Sequence, residues 1–135
     1  MSKPGKAAMK RVLFMDDEEM IQRVTAMMLE GMGYDVEVVP EGEAAVSAYR
    51  KAREKGRKHD VVILDLKVRD GMDGLEASRQ ILRYDPKAVI FISTGFSSDP
   101  IVNNFRQFGL AGALAKPYTA DELEKMVKSA MSYQD

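Results

Sequence analysis

The spacing of short apolar runs restricts this chain more than any other feature. Val12–Met15, Val36–Val39, Val61–Leu66, Ala88–Ser93 and Ala111–Ala115 recur along it. Each has strand length and is followed by a segment long enough for a helix. Three of the five are almost continuously apolar, as expected of parallel strands covered on both faces. Between them, Ile21, Val24, Met28 and Met32 repeat at helical spacing. So do Ala45, Ala48, Tyr49 and Ala52, then Ile101, Phe105 and Phe108, and finally Leu123, Met126, Val127, Ala130 and Met131. These stripes predict core-facing helix sides. Thr119 with Glu122 predicts a capping box, Asp99–Pro100 an N-cap followed by an N1 proline, and Gly31, Gly33 and Gly109 helix stops. Strand and helix in alternation with short connections imply right-handed crossovers. The fold class is α/β, a three-layer α/β/α sandwich around a five-stranded parallel sheet.

The 135 residues provide for one core. We divide them into a lead-in over 1–9, a domain over 10–132 and a tail over 133–135. Most of the ten methionines fall in helical segments and are expected to fill the core. Twenty basic against 21 acidic residues give no general attraction to nucleic acid or anionic lipid. With no cysteine and the single histidine His59, disulfides, thiolate metal sites and multi-histidine zinc sites are excluded. The longest apolar run, Ala88–Ile92, is far shorter than the roughly 18 residues that mark a membrane span, and residues 1–10 contain no signal-like apolar segment. The expectation is a soluble cytoplasmic domain without membrane insertion.

In an open parallel sheet, ligands bind where loops leave the carboxyl ends of the strands. Those exits carry Asp16, Asp17, Glu18 and Glu19 after the first run, Asp65 near the end of the third, Ser93 and Thr94 after the fourth, and Lys116 and Pro117 after the fifth. Acidic residues before a helix can simply complement its dipole. Asp65 is different, because it interrupts the apolar run VVILDL, where an uncompensated carboxylate is heavily penalised. If Asp16, Asp17 and Asp65 meet, they raise one another's pKa and call for a hard divalent cation such as Mg²⁺. Lys116 would add a point charge suited to a phosphoryl group, and Thr94 a hydroxyl.

These motifs, Met15–Glu18, Ile63–Leu66 running on to Met72–Gly74, Ser93–Gly95 and Ala115–Pro117, resemble those of the receiver domain of two-component response regulators, over residues 9–132. The resemblance implies a flavodoxin-like fold with strand order 2-1-3-4-5. It implies that Asp65 accepts a phosphoryl group from the phosphohistidine of a histidine kinase or phosphotransfer domain. Asp17, Asp65 and the backbone carbonyl of Lys67 would hold Mg²⁺, with Mn²⁺ as a substitute and Asp16 acting through water. Thr94 would be the switch hydroxyl, Lys116 the amine facing the phosphoryl oxygens, and Lys116–Pro117 a cis peptide. Lys67 and Phe96 take positions that flank the path of hydrolytic water. The activity implied is a signalling phospho-acceptor with intrinsic phosphotransfer and autodephosphorylation, not an enzyme acting on a separate substrate.

Two positions depart from the family pattern. Arg69 stands where receivers usually carry proline, four residues after the acceptor, and is free to pair with Asp70 or with a partner. Ala113 replaces the usual aromatic three before Lys116, so an aromatic rotamer switch is absent and the loop after Thr94 is expected to carry the signal. The output face would include Asn103, Arg106, Gln107 and Tyr118, with its partner unassigned and homodimerisation compatible with it. Other readings fit less well. A haloacid-dehalogenase-type phosphatase needs a second carboxylate where Lys67 stands, and a dinucleotide or nucleoside-triphosphate domain needs a glycine-rich turn after the first strand. The alternative retained is a receiver fold that no longer cycles phosphate and serves as a docking module. Kinase, stimulus and output, and whether the chain stands alone or belongs to a hybrid kinase or larger regulator, are not encoded in these motifs.

Overall fold

A computed structural model describes residues 9–96 and 98–132. Nearly all of the expected lead-in and the whole tail lie outside the described residues. The strands are β1 Arg11–Met15, β2 Asp35–Val39, β3 Val61–Asp65, β4 Ile90–Thr94 and β5 Gly112–Ala115. The helices are α1 Glu19–Gly31, α2 Gly42–Glu54, α3 Gly74–Tyr84, α4 Pro100–Asn104 and α5 Ala120–Met131. All strand pairings are parallel, in the order β2-β1-β3-β4-β5. The expected sandwich is therefore observed.

Side chains alternate across the sheet with period two, so each central strand supplies two cores. Leu13, Met15, Val62, Leu64, Ile90 and Ile92 pack against Ala45 and Tyr49 of α2, Ala77 and Ile81 of α3 and Ile101 of α4. Val12, Phe14, Val61, Ile63, Phe91 and Leu114 face the other way, onto Leu29 of α1 and Leu123, Val127 and Ala130 of α5. His59 is a buried core residue, stacked on Tyr49 with ring centroids 5.9 Å apart and with Nε2 2.8 Å from Glu37 Oε1. Among the described residues no helix is long and apolar enough to cross a membrane.

Several expectations need correction. The buried face of α1 is centred on Thr25 and Leu29; the expected Ile21, Met28 and Met32 pack partly buried beside them, whereas Val24 is 46% exposed. Burial of Thr25 is tolerated because its hydroxyl lies 2.6 Å from the Tyr118 hydroxyl. Met20 and Met27 are 76% and 71% exposed, so these two methionines fill no core. The stripe Ile101, Phe105, Phe108 does not lie on one helix. α4 stops at Asn104, a 3₁₀ turn follows over Phe105–Phe108, and Phe108 stays partly exposed. Gly109 closes that turn with φ 77°, the left-handed conformation that glycine adopts without penalty. α3 carries an apolar side too: it buries Gly74, Ala77, Ser78 and Ile81, and Leu75 and Leu82 pack partly buried against the same core.

Candidate functional site

Strand register alone brings the sequence-predicted residues together. Met15 pairs with Leu64, which sets Asp16 level with Asp65, and Asp65 pairs with Ser93. Thr94 pairs with Ala115, placing Thr94 one step and Lys116 two steps beyond the level of Asp65. The Lys116 N–H donates to the Thr94 carbonyl (2.7 Å) and holds this rim together. The Lys116–Pro117 peptide is cis.

Asp16, Asp17 and Asp65 each offer an oxygen, all within 4.8 Å of one another. Asp16 is fully buried and accepts the Glu18 N–H (2.9 Å) as well as the Lys116 ammonium (2.6 Å). The same ammonium lies 3.2 Å from Asp65 Oδ2. Asp17 Oδ2 accepts two donors from Arg69, the backbone N–H at 2.9 Å and Nε at 3.3 Å. Arg69 thus pairs with Asp17 rather than with its neighbour Asp70. A cleft of about 360 Å³ opens over Asp65, lined by Asp17, Asp65, Lys67, Arg69, Thr94 and Lys116, with Phe96 exposed at its mouth. The Thr94 hydroxyl accepts the Phe96 N–H (3.1 Å), which joins the two residues across the start of the loop after β4.

The charges are unevenly compensated. Burial, with Asp16 and Asp17 nearby, pushes the Asp65 carboxyl up to about 6 against the pull of Lys116. Burial would also raise Asp17, but the Arg69 N–H and guanidinium outweigh it and hold this carboxyl below the usual range. Burial would lower Lys116, yet Asp16 and Asp65 keep its ammonium above its ordinary value. Three carboxylates sharing Lys116 between two of them, all oxygen donors, form a set that fits a hard dication.

This imbalance has a measurable consequence. An acid whose pKa is raised by folding holds its proton longer in the native state, so its contribution to stability falls as pH rises from 3.8 towards about 6. We expect Asp65→Asn to stabilise the metal-free domain by about 1–2 kcal/mol at pH 7.5, less than the full linkage value because Asn pairs less well with Lys116. Urea unfolding should show the gain disappearing below pH 4. A gain independent of pH would contradict the assignment.

Glu41 was not anticipated. Its carboxylate accepts the N–H groups of Ala44 (2.7 Å), Glu43 (3.3 Å) and Met72 (3.4 Å), capping α2 and gripping the loop after β3 at once. The Gly42 N–H donates to the Met72 carbonyl beside it (2.7 Å). Loop 67–73 is fastened by Asp17 near one end and Glu41 near the other. A Glu ahead of a helix was the available signal, but only the fold shows what lies beside it. On the expected output face, Asn103, Arg106 and Gln107 are exposed, whereas Tyr118 is half-buried against Thr25.

The five-stranded parallel sheet gathers an acidic pair at the exit of β1, a carboxylate at the end of β3, a threonine at that of β4 and a lysine after β5, which makes it a doubly wound α/β domain with its site along one sheet edge. The family model for the response regulator receiver domain matches residues 12–128, and the chain belongs to that family. It is 36% identical over 124 residues to the transcriptional regulatory protein LiaR of Bacillus subtilis and 30% identical over 127 residues to the response regulator GacA of Pseudomonas aeruginosa. These matches take in 90% and 93% of this chain but only 56% and 57% of the relatives, so the chain spans about half their length. Among solved structures, it resembles a response regulator receiver domain protein from Clostridium thermocellum (TM-score 0.81, 26% identity, 93% of this chain and 96% of that one). It equally resembles the receiver domain of a Pseudomonas aeruginosa sensor histidine kinase crystallised with magnesium in its active-site cleft (TM-score 0.81, 26% identity, 93% and 99%).

Proposed function

We propose that this domain takes a phosphoryl group onto Asp65 from the phosphohistidine of a histidine kinase or phosphotransfer domain, in a Mg²⁺-dependent reaction. The observation that carries this reading is the position of the Asp65 carboxylate, recessed at the cleft floor, 3.2 Å from Lys116 and grouped with Asp16 and Asp17. An Asp65 oxygen attacks phosphorus, the P–N bond breaks, and its electron pair leaves on the donor's imidazole nitrogen. Little covalent help is needed, so the protein's part is to position the acceptor and neutralise charge. The Lys116 ammonium pairs with the phosphoryl oxygens, and the Thr94 hydroxyl donates to them once it has turned from the Phe96 N–H. Asp17, Asp65 and the Lys67 carbonyl, with Asp16 behind, would hold Mg²⁺, which supplies charge neutralisation when bound. Lys67 and Phe96, at the cleft mouth, are placed to hinder hydrolytic water.

With Ala113 too small to act as a rotating aromatic, the drawing-in of Thr94 is read out through the loop that follows it. A donor must also cover the rim to reach Asp65, which brings the exposed Met20 and Phe96 into that encounter. The domain is a signalling module of the cytoplasm in this reading, and its product passes to an output partner through α4, β5 and α5. Incubation with Mg²⁺ and acetyl phosphate, followed by intact-mass measurement, should show one added phosphoryl group on the wild type and none on Asp65→Asn. An unaltered wild-type mass would instead leave a docking module.

A further inference from the structure

We infer that Arg69 is a resident counter-cation that competes with the metal for Asp17, so that this side chain sets the domain's affinity for Mg²⁺. The inference rests on reading the rim as a metal site and adds a residue to it. Arg69 presents two donors to one Asp17 oxygen, and proline, the usual family residue here, has neither a backbone N–H nor a charged side chain to offer. Lys116 is engaged by Asp16 and Asp65. Among the described residues, the Arg69 guanidinium is the cation that pairs with Asp17. It satisfies that carboxylate while no metal is bound and repels a dication arriving beside it.

The two donors have separable roles. The backbone N–H, at 2.9 Å, orients Asp17 and is fixed by the chain. The guanidinium reaches the same oxygen through Nε at 3.3 Å on a side chain 78% exposed, so it is easily displaced and readily screened. Loop 67–73 does not need it for anchorage, because Glu41 and Gly42 hold Met72. Removing the charge should therefore leave the loop in place and free Asp17 for the metal. Release on metal binding also sends a mobile guanidinium into the mouth of the cleft, where the donor approaches.

The test is a Mn²⁺ titration read from the EPR signal of free ion, with displacement by Mg²⁺, on the wild type, Arg69→Gln and Arg69→Lys. At low ionic strength Arg69→Gln should bind about three- to tenfold tighter than wild type. Arg69→Lys should stay within about twofold of wild type, because it keeps the charge, and the Gln advantage should shrink towards parity near 0.5 M NaCl. Equal or weaker binding by Arg69→Gln, or equal shifts in both variants, would overturn the inference. A wild type that binds no Mn²⁺, like an Asp17→Asn control, would overturn the metal reading and this inference with it.

Discussion

Lys116→Met is expected to lose about 3 kcal/mol of stability at pH 7.5 without metal, the scale for removing one partner of a buried ion pair. Its ammonium sits 2.6 Å from the fully buried Asp16 and 3.2 Å from Asp65, and Met keeps most of the apolar stem while deleting the charge. Asp16, Asp17 and Asp65 would then share one rim in which, among the described residues, Arg69 is paired with Asp17 and no cation is paired with Asp16 or Asp65. The loss should fade as pH falls towards about 6, since without the pull of Lys116 Asp65 takes up its proton more readily and protonation removes the repulsion that the ammonium had been balancing. Millimolar Mg²⁺ should restore part of the stability while phosphorylation stays impaired, because the phosphoryl oxygens would still lack the ammonium. Urea unfolding with and without Mg²⁺ checks this. A variant as stable as wild type under both conditions would mean that the carboxylates are solvated well enough to need no partner. Lys116→Arg is not a substitute, since a planar fork cannot take the place of a compact ammonium between two carboxylates.

Gly74→Ala should be nearly as damaging, although it introduces a better helix former. A Cβ at this first residue of α3 would lie 2.2 Å from the Asp65 carbonyl oxygen and 3.1 Å from Leu64 Cβ. Neither neighbour is the free end of a flexible side chain, so the helix or the acceptor strand must shift. Ala is favoured over Gly inside helices by about 1 kcal/mol, and forced overpacking costs about 1–3 kcal/mol or more. We expect a net loss of about 2 kcal/mol, together with slower phosphorylation, because the backbone that moves carries the acceptor. Gly31→Ala is the control. That position in the last turn of α1 has open space around it, and substitution should be neutral or slightly stabilising in the same urea measurement. If both substitutions behaved alike, the close approach at Gly74 would not be what fixes Asp65.

The sheet and the core of the site were legible in the sequence for one reason. Parallel strands buried on both faces write themselves as apolar runs, and the residue that ends each run falls on the rim. Asp16, Asp65, Thr94 and Lys116 needed nothing more. Helix faces were harder. Thr25 is buried and Val24 half-exposed because a hydroxyl with a partner, Tyr118, can take a core position that composition assigns to valine. The two residues that shape the acceptor loop, Glu41 and Arg69, read as ordinary surface charges until their partners, 31 residues on at Met72 and 52 back at Asp17, come into view. Long-range pairing of this kind leaves no local periodicity to detect.

Every chemistry-bearing side chain leaves the sheet at the same edge, whereas the turns from helix back to strand lie at the other. Gly56, between α2 and β3, has a φ of 74°, open space where a side chain would be, and a place on the exposed surface. A reporter protein spliced in at that turn would meet neither the acceptor loop nor the residues that fasten it. The domain therefore offers a joint to which a fluorescent reporter could be fitted without disturbing the rim whose state it would follow.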